Sequence, residues 1–314
     1  MSLSQIEYAL AVNRFRNFKK AADFCNVTQP TLSMQLQKFE EQIGIILFDR
    51  SKSPTVPTLE GERVLEQAQV VIRDYHKLLD LARGSDQQVE GDFHLAVIPT
   101  MAPYVVPLFV GKFVEDFPKV NLIITEMQTE VIIEALDRDE IDAGLMATPL
   151  KRDNLIEKVL FYEPFLLFLS PLHALLKKTK IKDNDLVPEE IWLLSEGHCF
   201  RNQVLSVCDL RVPKSKKVGV SFESGNLETL KQMVMKSGGY TLLPQLATDQ
   251  LSATAKKQLR PFQAPVPTRE VSLVYSRSFL KEKIVNALEK TIIEALPVEM
   301  RNLKGKQFDV VPID

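Results

Sequence analysis

The chain has 314 residues, of which 45% are hydrophobic and 25% charged, with a formal net charge of −2. This is the balance of a soluble globular protein of two or three domains. It excludes a nucleic-acid binder that works by overall charge, so any such site has to be a local patch.

Three cysteines are too few and too scattered for a secreted disulfide scaffold, and their spacing suits no zinc site. Neither a metal nor a cofactor is expected. Met1 to Ala11 carries Glu7 and lacks a basic start before an apolar run, so no signal peptide is expected. No stretch approaches 18 uninterrupted apolar residues, so no membrane contact is expected either. These features point to the cytoplasm, where thiols stay reduced and a disulfide is transient.

Ser4 is placed to cap a first helix through Ile6, Leu10 and Ala11. A second short helix follows near Phe18 to Cys25, and Asn26-Val27 makes a turn. Thr28 is a good N-cap for a third helix, and Pro30 suits its first turn, where the missing N–H has no partner to lose. Leu32, Leu36, Phe39 and Ile43 repeat at helical spacing and make one apolar face. Gly44 stops the helix. Roughly opposite that face lie Pro30, Met34, Gln37, Lys38 and Glu41, flanked by Thr31 and Ser33.

Two helices joined by a tight turn suit a helix-turn-helix, whose second helix offers its first turns to base edges. Gln29, Thr31 and Ser33 can read bases, and Arg14, Arg16, Lys19, Lys20, Arg50 and Lys52 can hold phosphates. Through Thr58 there are seven Lys/Arg against five Asp/Glu, a weak excess. A small helical bundle that binds no DNA fits the same pattern.

Phe48 to Leu59 reads as a short hairpin, a wing, with Pro54 and Pro57 near its tip and edge. A long helix from about Glu60 to Arg83 follows. Leu65, Ala68, Ile72, Tyr75 and Leu79 alternate by three and four along it, an a/d seam that predicts dimerisation. The polar break Gly84-Ser85-Asp86-Gln87-Gln88 predicts a linker. The expected organisation is therefore a winged helix-turn-helix at 1–59, a linker helix and hinge at 60–88, a second domain at 91–300 and a tail at 301–314.

From Asp92 on, strand-like and helix-like segments alternate, which predicts an α/β domain with a mostly parallel sheet covered by helices. Strands are expected at Phe93–Ile98, Val120–Glu126, Ala143–Ala147, Phe165–Leu169, Trp192–Leu194, Tyr240–Leu243 and Val271–Tyr275. Helices are expected at Pro103–Asp116, Glu130–Asp137, Leu227–Ser237 and Phe279–Leu296. Thr100 and Thr129 fall at the carboxyl ends of strands and at the starts of helices, where free N–H groups favour polar or anionic oxygen.

The stretch Ser195 to Cys208 holds two of the three cysteines. Cys199 is flanked by His198 and Arg201, cations able to lower a thiol pKa. Cys208 lies nine residues on, about 13.5 Å along a helix at ~1.5 Å per residue. A disulfide needs Cα atoms roughly 4.4–6.8 Å apart. The spacing allows a redox pair that must unwind a helix to join, and equally two unrelated cysteines with one buried.

Ala21-Ala22, Val27-Thr28-Gln29-Pro30-Thr31-Leu32-Ser33, Phe39-Glu40, Gly44, Leu47-Phe48, Arg50, Thr58 and Gly61 resemble the winged helix-turn-helix of LysR-type transcriptional regulators. Further on, Ile98-Pro99-Thr100, Pro103-Tyr104, Phe117-Pro118, Glu126 and Gln128-Thr129 are similar to the peroxide-sensing OxyR branch of that family. So are Glu196-Gly197-His198-Cys199, Arg201, Gln203, Cys208, Leu227-Glu228-Thr229-Leu230 and Thr241-Leu242-Leu243-Pro244. Asn202 stands where the branch often has Asp, and Pro54 and Thr55 stand where the wing often carries charge.

The resemblance implies a periplasmic-binding-protein-like regulatory domain of two α/β subdomains, the first at 91–162 plus 268–300 and the second at 163–267. It implies Cys199 as the peroxidatic thiol and Cys208 as the resolving one, joined in a reversible disulfide. Thr100, Thr129, His198 and Arg201 would hold peroxide and favour the thiolate. Thr28, Gln29, Pro30, Thr31, Ser33, Met34, Gln37, Lys38, Arg50 and Lys52 would face DNA. The implied partners are double-stranded promoter DNA, RNA polymerase, hydrogen peroxide, a cytosolic thiol reductant and a second copy of the chain, as homodimer or homotetramer. Two other readings use the same residues: a LysR-type regulator that takes a small metabolite in its cleft, and a thiol enzyme with Cys199 as nucleophile and His198 as base.

Overall fold

The computed structural model describes residues 1–83, 89–208, 224–276, 281–301 and 308–313. The chain divides into two compact units, Met1–Gln87 and Gln88–Asp314. The polar break at 84–88, the start of the closing helix at 277–280 and tail residues 302–307 and 314 lie outside the described residues.

In the first unit, α1 (Leu3–Phe15), α2 (Phe18–Phe24) and α3 (Gln29–Ile43) pack around Ile6, Val12, Leu32, Leu36 and Phe39. The cap of α1 is Ser2, not Ser4. The Gln5 side-chain oxygen at the third helical position accepts in return from the Ser2 backbone N–H, and this reciprocal capping box sets the start. Thr28 caps α3 as expected, accepting from the Thr31 N–H, and Gly44 ends it at a φ of 70°. A two-residue pair, β1 (Phe48–Asp49) with β2 (Val56–Pro57), forms the wing. Thr58 then accepts from the Gly61 N–H and opens α4 (Leu59–Arg83).

The seam expected on α4 divides in two. Leu65 and Ala68 are buried in the winged unit's own core, and Ile72 packs against it. Leu65 and Ala68 are therefore not free for a partner, because α4 lies against α1 and β2 there. Tyr75 and Leu79 lie beyond that core and remain half-buried, while Val71 and Leu78 are exposed.

The second unit alternates β3 (Gly91–Val97), α5 (Ala102–Asp116), β4 (Val120–Glu126), α6 (Thr129–Asp137) and β5 (Ala143–Thr148), then runs a long β6 (Leu155–Leu169). After three short 3₁₀ turns come α7 (Cys199–Val207), α8 (Leu227–Ser237), β7 (Tyr240–Pro244), α9 (Leu246–Asp249) and α10 (Ala253–Lys256). The remaining elements are β8 (Leu259–Pro261), β9 (Val266–Ser276), α11 (Glu282–Ala295), α12 (Val298–Arg301) and β10 (Phe308–Val310). The sheet runs β4-β3-β5-β9-β6-β7, with β10 beside β9 and β8 beside β6.

The sheet is mixed, not mostly parallel. β3–β4, β3–β5 and β9–β10 are parallel, whereas β6 runs antiparallel to β7, β8 and β9, and β5 to β9. Alternation along the chain could not reveal this, because β6 and β9 are long strands that each serve both ends of the unit. Leu155–Pro164 of β6 pairs with β9, and Phe165–Leu169 pairs with β7. The first half of β6 reads poorly as a strand because Glu157, Lys158 and Glu163 interrupt its apolar pattern. Trp192–Leu194 is not a strand: that stretch makes only isolated bridges, Ile191 to Tyr240 and Leu194 to Ser224.

Gly61 is the tightest backbone approach in the winged unit, since a Cβ there would overlap the Leu47 carbonyl oxygen. Gly61→Ala should destabilise the N-terminal unit by about 1–3 kcal/mol. An unchanged urea midpoint for that unit's unfolding would refute this packing.

Candidate functional site

Helix α7 begins at Cys199 and ends at Cys208, its C-cap. Both cysteines are free and buried. The helix is anchored on its inner side by Phe200, Gln203 and Val204. The Phe200 ring meets Phe165 edge-on, with centroids 5.3 Å apart.

Gly197, just before the helix, has a φ of 87°. A side chain there would meet the Gln128 amide at 2.8 Å, so glycine suits both the turn and the approach. The fold thereby draws Pro99, Thr100, Gln128, Thr129, Gly197, His198 and Cys199 around one crevice, which is too narrow in this form to admit a water molecule. Four of the five residues implied at this end of the site, Thr100, Thr129, His198 and Cys199, do come together.

Arg201 does not line that crevice. Its guanidinium donates to the Leu194 carbonyl at 2.7 Å and holds the incoming loop. His198 is buried, which pushes its pKa below the ordinary value against an opposing pull from Glu126. It is therefore neutral near pH 7.

The cation that acts on Cys199 is Arg269, on β9. Arg269 is fully buried and pairs with Glu163, its cross-strand neighbour on β6, at 2.6 Å. It also donates to the Thr100 hydroxyl at 3.1 Å and to the Thr100 carbonyl at 3.3 Å. The second Glu163 oxygen accepts from the Leu246 N–H at 2.8 Å. A buried ion pair needs such extra hydrogen bonds to offset desolvation. Sequence reading missed both residues. Their only local sign was charge inside otherwise apolar strands.

Burial pushes the Cys199 thiol pKa up. The Thr129 hydroxyl, Arg269 and the N–H groups at the start of α7 pull it back, and burial wins. This corrects the expectation of a thiolate favoured by His198 and Arg201: one is neutral and the other points away. The Thr129 hydroxyl lies near enough to favour the thiolate, yet it is buried without a full hydrogen bond inside the protein. Cys208 sits apart, near Asp183 and Tyr240. Burial, helped by the Asp183 charge, pushes its thiol up to about 12.

In the first unit, Thr28, Gln29, Pro30, Thr31, Met34, Gln37 and Lys38 are all exposed along α3, and Ser33 is half-buried. The Thr28 and Thr31 hydroxyls bond each other at 2.8 Å, and Gln37 donates to Glu41 at 3.1 Å. Arg50 is a brace as much as a surface cation. It pairs with Glu40 at 2.8 Å, reaches Ser33 at 3.4 Å and lies over the Phe18 ring. Lys52 is exposed beside Asp49 at 3.7 Å. Arg16, Lys19, Lys20 and Gln29 line an open polar groove with Pro54 and Thr55 of the wing.

Residues 3–62 match the profile described as bacterial regulatory helix-turn-helix protein, lysR family, and residues 86–297 match the LysR substrate binding domain. The chain belongs to the LysR family. Its LysR relatives include the hydrogen peroxide-inducible genes activator of Haemophilus influenzae, 34% identical over 88% of this chain and 90% of that one. A cysteine-to-aspartate variant of full-length OxyR from Pseudomonas aeruginosa is 32% identical. It superposes with a TM-score of 0.80 over 93% of this chain and 97% of that one. A cysteine mutant of Corynebacterium glutamicum OxyR with bound H2O2 is 25% identical, with a TM-score of 0.59 over 94% and 92%. Within the LysR family the chain resembles the OxyR branch over both units.

The buried Cys208 gives a direct test. A shift from an ordinary thiol near 9.0 to about 12 lowers the thiolate fraction at pH 8 roughly 1,000-fold. Alkylation of Cys208 in the folded, reduced chain should be slower than in the denatured chain by at least about tenfold, since the more basic thiolate recovers part of the loss in reactivity. Equal rates would refute the burial.

Proposed function

We propose that the protein is a hydrogen peroxide-sensing, DNA-binding transcriptional regulator of oxidative-stress genes, switched by a reversible disulfide between Cys199 and Cys208. One observation carries the reading: the two cysteines stand at opposite ends of a single helix, Cys199 as its first residue and Cys208 as its C-cap, and the Cys199 end meets a crevice lined by Thr100, Thr129 and His198.

The chemistry has two steps. Cys199 gives up its proton, and its sulfur attacks one peroxide oxygen. The O–O bond breaks, and the leaving hydroxide takes up a proton and departs as water. Sulfur is oxidised to a sulfenic acid and peroxide is reduced. The Cys208 sulfur, losing its own proton, then attacks the Cys199 sulfur. The S–O bond breaks, a second water leaves and the disulfide remains.

Arg269 and the free N–H groups at the start of α7 stabilise the negative charge that develops on sulfur. Thr100 and Thr129 offer hydroxyls to the peroxide oxygens, and neutral His198 closes the crevice. Because the crevice has no room even for water, it must open to admit peroxide before the thiol is committed.

On this reading the protein is a regulator and not an enzyme, because a helix-turn-helix and a LysR regulatory domain account for both units; a cytosolic thiol reductant resets the switch. A cytoplasmic place goes with the DNA-binding regulator reading.

Promoter DNA is met by α3, with Gln29, Thr31 and Ser33 toward base edges. Lys38, Lys52 and the groove lysines Lys19 and Lys20 lie toward phosphates. The working form is a homodimer or homotetramer that contacts RNA polymerase. Tyr75 and Leu79, with exposed Val71 and Leu78, carry the pairing surface of α4.

Stoichiometric peroxide followed by mass spectrometric thiol mapping should yield a Cys199–Cys208 disulfide, and Cys199→Ser should abolish the change in promoter footprint. A footprint change that survives in Cys199→Ser would place the sensor elsewhere. Gln29→Ala should lose about 1–3 kcal/mol of discrimination between operator and mutated operator. Equal discrimination would remove Gln29 from base readout.

A further inference from the structure

Helix α7 is held from outside as well as from its own ends. Gln203 lies between the two cysteines and is completely buried. Its side-chain Nε2 donates to the carbonyl oxygen of Val311 at 3.0 Å. Val311 belongs to the last described segment of the chain, more than a hundred residues away. That segment is itself fastened. β10 pairs in parallel with β9, Phe308 opposite Val266 and Val310 opposite Thr268. The Val311 N–H donates to the Thr268 carbonyl at 2.9 Å. Val311 is buried in the core of the second unit, and Ile313 packs against it.

Residues 308–313 thus join the middle of α7 to the strand that carries Arg269, one residue beyond Thr268. They also bring Asp309 near Asp183, the carboxylate that faces Cys208.

We propose that residues 308–313 form a strap that holds α7 in its reduced, helical form, and that the disulfide forms only as this strap releases Gln203. The proposal rests on the redox reading of the two cysteines given above. To bring Cα atoms about 13.5 Å apart to within roughly 6.8 Å, the turns around Gln203 must unwind, and the buried amide cannot keep its place. Once Gln203 leaves, the Val311 carbonyl is buried without that partner, a condition that costs far more than the bond is worth in water. The carbonyl regains a partner if the strap lifts or water enters, so α7 and the strap come loose together. Among the described residues the Gln203 Oε1 is buried with no hydrogen-bond partner, so the Nε2–Val311 bond is the polar hold this side chain has there. The strap thereby sets how much oxidising pressure the switch needs.

The test uses the full chain and glutathione redox titration. Deletion of residues 308–314 should move the dithiol–disulfide equilibrium about tenfold toward the disulfide, a midpoint about 30 mV more negative. Because the deletion can unsettle the fold, hydrogen exchange on the unaltered protein supplies a second readout. Peptides covering 308–313 should lose protection in the peroxide-treated form relative to the reduced form. If the disulfide forms but the segment stays protected, or if the midpoint of a folded deletion variant does not move, the strap is overturned while the redox reading stands. If mass mapping finds no Cys199–Cys208 disulfide in the unaltered protein, the redox reading fails and the strap falls with it.

Discussion

The rise of α7 separates Cys199 from Cys208 by about 13.5 Å, about twice the longest Cα span that a disulfide tolerates. Everything else in the second unit can be understood as support for that incompatibility. While the helix stands, the thiols are buried at opposite ends in unlike surroundings, one beside a buried arginine and the other beside an aspartate and a tyrosine. Joining them requires the helix to come apart, and with it the packing of Phe200, Gln203 and Val204. Under the proposed disulfide, a local covalent change would be converted into a choice between two packings, which is how a small chemical event can move a large protein.

The chemistry at Cys199 balances two opposing effects. Burial protects the thiol and raises its pKa, and the same burial makes nearby charge count for more. The Arg269 guanidinium is held there by Glu163, which neutralises it across the β6–β9 pair, and by Thr100, which accepts two of its other donors. That pair lies where the two long strands pass from one end of the sheet to the other. The electrostatics of the crevice are therefore set by the strands that unite the second unit. His198 and Arg201, the neighbours of Cys199 in sequence, act mechanically instead: one closes the crevice and the other ties the preceding loop.

In the first unit a similar economy applies to α4. Its apolar residues serve the winged unit's own core at Leu65 and Ala68 before the helix extends beyond it. A seam that looks continuous in sequence thus divides into a part covered by the unit's own core and a part that extends past it. Arg50 also has two roles, as it fastens the wing to Glu40 and Phe18 while leaving part of its surface open.

The sequence by itself determined what depends on near neighbours. The caps at Thr28 and Gly44, the polar face of α3, the wing and the spacing of Cys199 and Cys208 were all legible, because helix capping and helical rise act over a few residues. The Ser4 cap was misplaced by two residues for a reason equally local, the Ser2–Gln5 capping box. Tertiary structure alone decided what depends on register and burial. Arg269, Glu163 and Val311 reach α7 or its crevice from distant parts of the chain, and only the pairing of β6, β9 and β10 brings them there. It likewise decided that the sheet is mixed and that Leu65 and Ala68 face inward. Periodicity reports that a face is apolar, but it carries no information about which surface will cover it.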